Sequence, residues 1–357
     1  QGGDDGAPLY PAPPEPGSTP PPRIRPDVAT GKEGALHYRV VFDPSVAPFK
    51  RDLAFDRAEP DGSLAMSAEG RTTMTPRGTK GRVGHELFWG HVTLDLVPGR
   101  HTPLPSVSPS SEILGVAVDP PVALAIQRDA AGNFSVSAAR AGRVELRYLM
   151  DAPSTYFSAP LAAGRISDDP IIAPLAAALQ ASMASLWPTL GVDPRADRKT
   201  NVDALTAWFR AFTPGPGPDP GSPLGPGLVA ELIAKQRGIC RHRAHGFVLM
   251  AWSLRIPAHF VMNDAHAFVE VWVLQRDGRG GWLRIDLGGG AESLELHGAE
   301  DHHLHRPLYP DTLPRPPSYT SELSGQRLGD ARPASDAAGG GRDGGWAGAQ
   351  KVIGADG

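Results

Sequence analysis

The spacing of apolar residues changes once along the chain. From 36 to about 150 it is short and alternating. The runs 36–42, 88–96, 113–118, 122–126, 133–137 and 144–149 mix apolar and polar residues at a period near two, which puts their side chains on opposite faces of a strand. Turn signals such as Asp119-Pro120-Pro121 and Ala131-Gly132-Asn133 separate them. Several short strands at this spacing predict an antiparallel sandwich.

From about 169 the period lengthens to three and four. Ile171, Ile172, Leu175, Ala178, Leu179 and Met183 predict a helix that reaches Leu186 and Trp187. Asn201 reads as the N-cap of a second helix through Leu205, Trp208 and Phe209, broken by the loop from Pro214 to Gly221. A third helix is predicted over 228–236, stopped by Gly238. After Gly238 an apolar stripe of Ala244, Phe247, Val248, Ala251 and Leu254 predicts a fourth. The run 255–261 contains Pro257 and reads as an edge strand. Over 266–273, Ala267, Val269, Val271 and Val273 share one face, and His266, Phe268, Glu270 and Trp272 share the other. Over 282–286, Leu283 and Ile285 face the core. A hairpin about Asp277-Gly278 then brings His266 and Asp286 together on the face away from the core, with the register open by a few residues.

Composition adds the ends. Gly (42) and Pro (38) are frequent enough among 357 residues to require long loops or tails. Residues 1–34 read as a disordered Pro-rich tail and 306–357 as a flexible Pro/Gly-rich one. The net charge of −4 argues against a nucleic-acid partner. No apolar run approaches the ~18–20 residues of a membrane span. A single cysteine excludes an internal disulfide and a multi-cysteine zinc finger. The start at Gln1 and the Pro-rich segment behind it fit an exported domain, periplasmic or secreted. Oligomeric state is not legible.

That one cysteine is where the chemistry concentrates. Cys240 falls at the predicted start of the fourth helix, where unpaired N–H groups and the helix dipole favour a thiolate. Arg241, His242 and Arg243 add positive charge beside it, so its pKa should be depressed, as a nucleophile requires. With His266 as base and Asp286 as orienting carboxylate, the chain supplies a triad in the order Cys, His, Asp. A lone cysteine is more often a small buried hydrophobe. Cys240, His242, His245, His259 and His266 also raise a zinc site, but the triad already uses two of them and a tetrahedral site needs four organised ligands, so no metal is expected. His302, His303 and His305 read as a polar surface loop. Glu270 is expected to pair with Arg284 across the hairpin. Leu287-Gly288-Gly289-Gly290 lacks the strand-to-helix context of a phosphate loop.

Four ordered blocks carry a family resemblance: Gly238-Ile239-Cys240, Ile256-Pro257-Ala258, His266 to Trp272, and Trp282 to Asp286. Together they resemble the transglutaminase-like superfamily, related to papain-type cysteine proteases, over roughly 170–290, and they look most like its bacterial members. The resemblance implies Cys240 as nucleophile, His266 as general base and Asp286 as orienting carboxylate. It outweighs the reading of Cys240 as a structural residue. Phe268 stands where the family usually has Trp, Leu287-Gly288 follows Asp286 in place of Pro-Thr, and the loop from Val261 to His266 is short. These departures bear on substrate class more than on chemistry. The Cys240 N–H is one expected oxyanion donor. The family often adds an aromatic donor from upstream, for which Trp208 is the candidate; a core tryptophan is the other reading of that residue.

The expected fold is therefore α+β: a papain-like transglutaminase core domain over 165–305, preceded by a β-sandwich-like all-β domain over 35–160. The expected function is that of a thiol-dependent acyl-group enzyme acting on peptide or side-chain amide bonds through an acyl-enzyme. The acyl group would pass to water (a protease or amidase) or to an amine (a transglutaminase). No cofactor is implied, the carboxylate clusters of a calcium-regulated enzyme are not found, and the partner is a protein or peptide substrate. The contrasting expectation is a catalytically inactive module that binds proteins or peptides.

Overall fold

A computed structural model of the chain describes residues 23–25, 35–47, 49–67, 71–78, 80–215, 225–264, 266–289, 293–297, 303, 305–309 and 313. The stretches 1–22 and 314–357, His302, Gly290 and most of the loop predicted at 214–221 lie outside the described residues.

The alternating part of the sequence forms β1 (Arg23–Ile24), β2 (Ala35–Arg39), β3 (Phe42–Asp43), β4 (Leu53–Phe55), β5 (Arg57–Ala58), β6 (Leu64–Ala65), β7 (Thr72–Met74), β8 (His85–Leu96), β9 (Thr102–Leu104), β10 (Glu112–Asp119), β11 (Leu124–Arg128), β12 (Phe134–Ala138) and β13 (Gly142–Pro153). Two antiparallel sheets carry most of it, in the orders β10-β13-β8-β3 and β7-β11-β12-β9. In β8 every second residue from Glu86 to Leu96 is buried, which is how period two sorts one face inward. Phe88, Val92 and Leu94 from the first sheet share one apolar cluster with Leu104, Ile126, Phe134 and Val136 from the second. This is the two-layer sandwich that the alternation predicts. Burying each such side chain contributes about 1.5–3 kcal/mol.

The helical part forms α1 (Ala177–Ser185), α2 (Trp187–Leu190), α3 (Arg198–Arg210), α4 (Pro226–Lys235) and α5 (Cys240–Ser253), followed by β14 (Ala258–Met262), β15 (Ala267–Leu274), β16 (Gly280–Ile285) and β17 (Ser293–His297). Each predicted helix exists, and each starts or stops elsewhere than the apolar period alone indicates. α1 begins at Ala177, leaving Ile171 fully exposed. Pro170 and Pro174 disfavour helix in the residues before them, so the apolar period there finds no backbone to carry it. α3 is capped by Asp197, whose side chain accepts from the Thr200 N–H. Asn201 sits inside the first turn and ties back the preceding loop through the N–H and carbonyl of Asp193. α4 takes Pro226 in its first turn and ends at Gln236 in the left-handed region, two residues before Gly238.

α5 is buried at all fourteen positions. It packs between α1, α3 and α4 on one side and the sheet strands β14 and β15 on the other. That sheet has the order β16-β15-β14-β4. β14 is therefore interior, not an edge. Pro257 precedes it, and the short strand β4, from the N-terminal half, covers its open side. Glu270 lies opposite Arg284, two residues from the predicted register, which leaves every side chain on its predicted face.

Both segments expected as tails include described residues. Arg23–Ile24 pairs with Leu64–Ala65; inside the expected domain bounds, β17 pairs in parallel with β2. Beyond 305, the Tyr309 carbonyl accepts from Ser158 Oγ and the Leu313 carbonyl from Arg210. His305, expected on a surface loop, is buried between Phe88 and Phe157 with Nε2 3.2 Å from Glu86 Oε2. No helix among the described residues is long and apolar enough to cross a membrane.

Candidate active site

Gly238 sets the entry to α5. Its φ of +154° lies where a side chain is strained, and a Cβ there would come within 2.6 Å of His242 Cβ. The chain can then turn so that Cys240 is the first residue of the helix. His242, at the third position, accepts the Ile239 N–H at 3.2 Å on Nδ1, satisfying a donor at the helix start. Arg243 donates to the carbonyls of Leu287 at 2.8 Å and Phe212 at 2.5 Å. His242 and Arg243 thus brace the helix entry, a role their sequence position alone does not reveal.

His266 ends the tight loop between β14 and β15. Its N–H donates to Asn263 Oδ1 at 2.9 Å, and its carbonyl accepts the Asn263 N–H at 3.1 Å. Its Nε2 is 3.2 Å from Asp286 Oδ1, and the imidazole is close enough to the Cys240 thiol for each to shift the other's protonation. Asp286 follows β16. Its Oδ1 also accepts the Gly288 N–H at 2.8 Å, and its carbonyl is gripped by Arg210 Nε at 2.9 Å and Nη2 at 2.7 Å. The three side chains that the sequence singles out are therefore brought together in one row, with a hydrogen bond between His266 and Asp286.

The row is shielded from solvent: Cys240 is 5%, His266 0% and Asp286 1% exposed. Burial opposes every charge in it, and the neighbours reverse that opposition. Burial pushes the Cys240 thiol up, but the hydrogen bond and charge of His266 bring it below its ordinary value. Burial lowers the imidazole, and Asp286 then raises it well above the usual histidine range. Burial raises the Asp286 carboxyl, and the His266 cation with the Gly288 N–H brings it down to about 2. Together these favour a thiolate–imidazolium pair.

The two expected oxyanion donors are both occupied. The Cys240 N–H donates to the Gly289 carbonyl at 2.8 Å. Trp208 is half-buried and donates Nε1–H to the Ile233 carbonyl of α4 at 3.2 Å, a contact between helices. Its place on α3 followed from the sequence; the direction of its ring did not.

Glu270, on β15, shares the strand face of His266. Its expected partner was Arg284. Its carboxylate meets Arg51 Nε at 2.6 Å, Tyr156 Oη at 2.5 Å and His259 Nδ1 at 3.1 Å. Two of these come from the N-terminal half, a contact that no local pattern encodes. The histidines weighed as metal ligands go to separate partners: His242 to the Ile239 N–H, His245 to the Gly62 carbonyl, and His259 to Glu270. Among the described residues, no three His, Cys, Asp or Glu side chains gather as a metal site.

Residues 191–287 match the family model of the transglutaminase-like superfamily, so this part of the chain is similar to a transglutaminase-like core. It follows an all-β region, in an α+β fold. Among solved structures the chain is similar to the periplasmic domain of TgpA from Pseudomonas aeruginosa. The form bound to ethylmercury has 19% identity and a TM-score of 0.45 over 74% of this chain and 94% of that one. A second structure of that domain has 19% identity and a TM-score of 0.43 over 76% and 94%. No curated protein matches the chain.

Proposed function

We propose that this protein is a thiol-dependent acyl-group enzyme with Cys240 as nucleophile, His266 as general base and acid, and Asp286 as the carboxylate that orients the imidazole. The observation that carries the reading is the buried row of Cys240, His266 and Asp286, with His266 hydrogen-bonded to Asp286 and Cys240 on the first turn of a buried helix. The Cys240 thiolate attacks the carbonyl carbon of an amide. The imidazolium gives its proton to the leaving amine as the C–N bond breaks, leaving a thioester on Sγ. Water or an incoming amine then attacks the thioester carbonyl and His266 takes its proton; the C–S bond breaks, releasing the acid or the new amide and restoring the Cys240 thiolate beside the His266 imidazolium. For the Cys240 N–H to bind the developing oxyanion, it must exchange the Gly289 carbonyl for the substrate's oxygen. Opening of the 287–289 turn is thus a step of the cycle in this reading.

The substrate class is a peptide or protein amide. Release of ammonia or a new amine from a glutamine- or peptide-based substrate, lost in Cys240→Ala and His266→Ala, tests the reading. Substituting a primary amine for water as acceptor separates transfer from hydrolysis. The shielded site favours a second reading, a non-catalytic binding module. Under it, Cys240→Ala keeps the partner and no turnover is found in the parent protein. We place the protein outside the cytoplasm as part of the same proposal; fractionation of source cells tests that placement.

A further inference from the structure

His266 lies one residue outside β15, at the tip of a hairpin, where a strand supports its own residues least. What holds the tip comes from the far end of the sequence. The Asn263 side chain, 2% exposed, accepts the His266 N–H on Oδ1 and donates from Nδ2 to the Lys50 carbonyl at 3.1 Å. The Asp52 N–H donates to the Met262 carbonyl at 3.1 Å, and Leu53 pairs with Met262. Lys50 Nζ meets Asp264 Oδ1 at 2.8 Å, within the same hairpin loop, and Asp52 at 3.0 Å. The Phe49 ring, fully buried, stands edge-on to Phe268 at 5.6 Å and near the His266 ring at 6.4 Å. The Arg284 guanidinium covers its other face at 3.8 Å.

We propose that Phe49 and Asn263 are positioning residues for His266. The backbone at Lys50, through Asn263, and the Phe49 ring, by contact, hold the imidazole in line between Cys240 and Asp286. Phe49 and Lys50 lie outside the segment that matches the transglutaminase-like family. The N-terminal segment 49–53 is then a built part of the site, and the matched segment alone is incomplete. This rests on the triad reading and deepens it. A displacement of about 1 Å in such a group costs on the order of a hundredfold in rate.

The test uses the full-length protein and needs no substrate. The rate of Cys240 alkylation by iodoacetamide is measured against pH in wild type, Asn263→Ala and Phe49→Leu, with thermal unfolding as a control for folding. His266, Asp286 and the Lys50, Asp52, Asp264 and Arg284 charges stay in place in all three. The expected result is a fall of about tenfold or more near pH 6 in both variants, with an unchanged alkaline limit, because the thiolate loses its aligned imidazolium. Folded variants whose profiles superimpose on wild type would overturn the proposal. If Asn263→Ala does not fold, Phe49→Leu decides by the same two results. If the wild type itself reacts as an ordinary thiol, the triad reading fails and this proposal with it, before any variant is considered.

Discussion

Arg51→Met removes the cation that faces Glu270 where the N-terminal segment joins the β14–β15–β16 sheet. Both side chains are sealed from solvent, with Nε 2.6 Å from Oε1. The other arms of Arg51 donate to Ser106 Oγ at 2.9 Å and to the carbonyls of Gly132 and Ala131 at 2.8 Å each. Burial pushes the Glu270 carboxyl up, and the Arg51 charge brings it below its ordinary value. Without Arg51, burial dominates, and the carboxyl takes a proton in preference to staying charged. That limits the cost. From an ordinary value of 4.5 to pH 7 is 2.5 units, or about 3.4 kcal/mol at ~1.36 kcal/mol per unit. The two orphaned carbonyls add on the order of 1 kcal/mol each. The sum, roughly 5 kcal/mol, is a large part of the ~5–15 kcal/mol that holds a typical domain folded. It is an upper figure, since His259 Nδ1 stays 3.1 Å from Glu270 Oε2.

The sign follows from linkage. In the variant the folded pKa of Glu270 lies above its unfolded value. Its contribution is then fully present below about 4.5 and is lost as pH rises through the raised value. The penalty should therefore shrink by as much as about 3 kcal/mol between pH 7 and pH 4.5. Urea unfolding followed by tryptophan fluorescence at both pH values measures it. Arg51→Met combined with Glu270→Gln should recover most of the carboxylate part at pH 7. A cost below about 1 kcal/mol at pH 7, or a cost that is the same at both pH values, would refute the reasoning.

Three further outcomes follow from single contacts. Gly289 has φ +79°, and a Cβ there would lie 2.5 Å from Arg243 Nε and 2.9 Å from the Cys240 N. Gly289→Ala should lower stability by about 1–2 kcal/mol and make Cys240 react faster with iodoacetamide, by forcing the carbonyl off its N–H; an unchanged rate counts against a role for the Gly289 carbonyl in restraining Cys240. His245 is buried, with its pKa lowered to about 4, and donates to the Gly62 carbonyl as a neutral ring. It contributes stability above ~6.5 that is lost as pH falls toward 4, and His245→Gln should flatten that acid slope in urea midpoints. Trp208→Phe should cost about 1 kcal/mol for the lost bond to Ile233 and leave Cys240 alkylation unaltered; a large fall in turnover with an intact fold would return Trp208 to the oxyanion role.

The sequence was most legible where chemistry and period coincide. Cys240 at a helix start, the two faces of β15, and the hairpin that brings His266 toward Asp286 all follow from local spacing. A register offset of two residues did no harm, because strand faces repeat at two. Boundaries were less legible where polar residues decide them. Asp197 outcompetes Asn201 as a cap because Asn201 is bound to the loop before it, and Pro170 and Pro174 cancel an apolar period that reads as helix. Long-range partners were not legible. Leu53–Phe55 completes the sheet from two hundred residues away, Arg51 replaces the expected partner of Glu270, and His305 is buried by Phe88 and Phe157. Such pairings depend on how the two halves meet, which no local window contains.

The most direct test of the central claim is the pH dependence of Cys240 alkylation in the wild-type protein and in His266→Ala. The cysteine is the only one in the chain, so the modification reports one site. A thiolate–imidazolium pair predicts a rate that stays high well below the ordinary thiol pKa of ~8.5 and collapses at low pH in His266→Ala. A wild-type rate that rises only through the ordinary thiol range, and is unchanged by His266→Ala, would contradict the account.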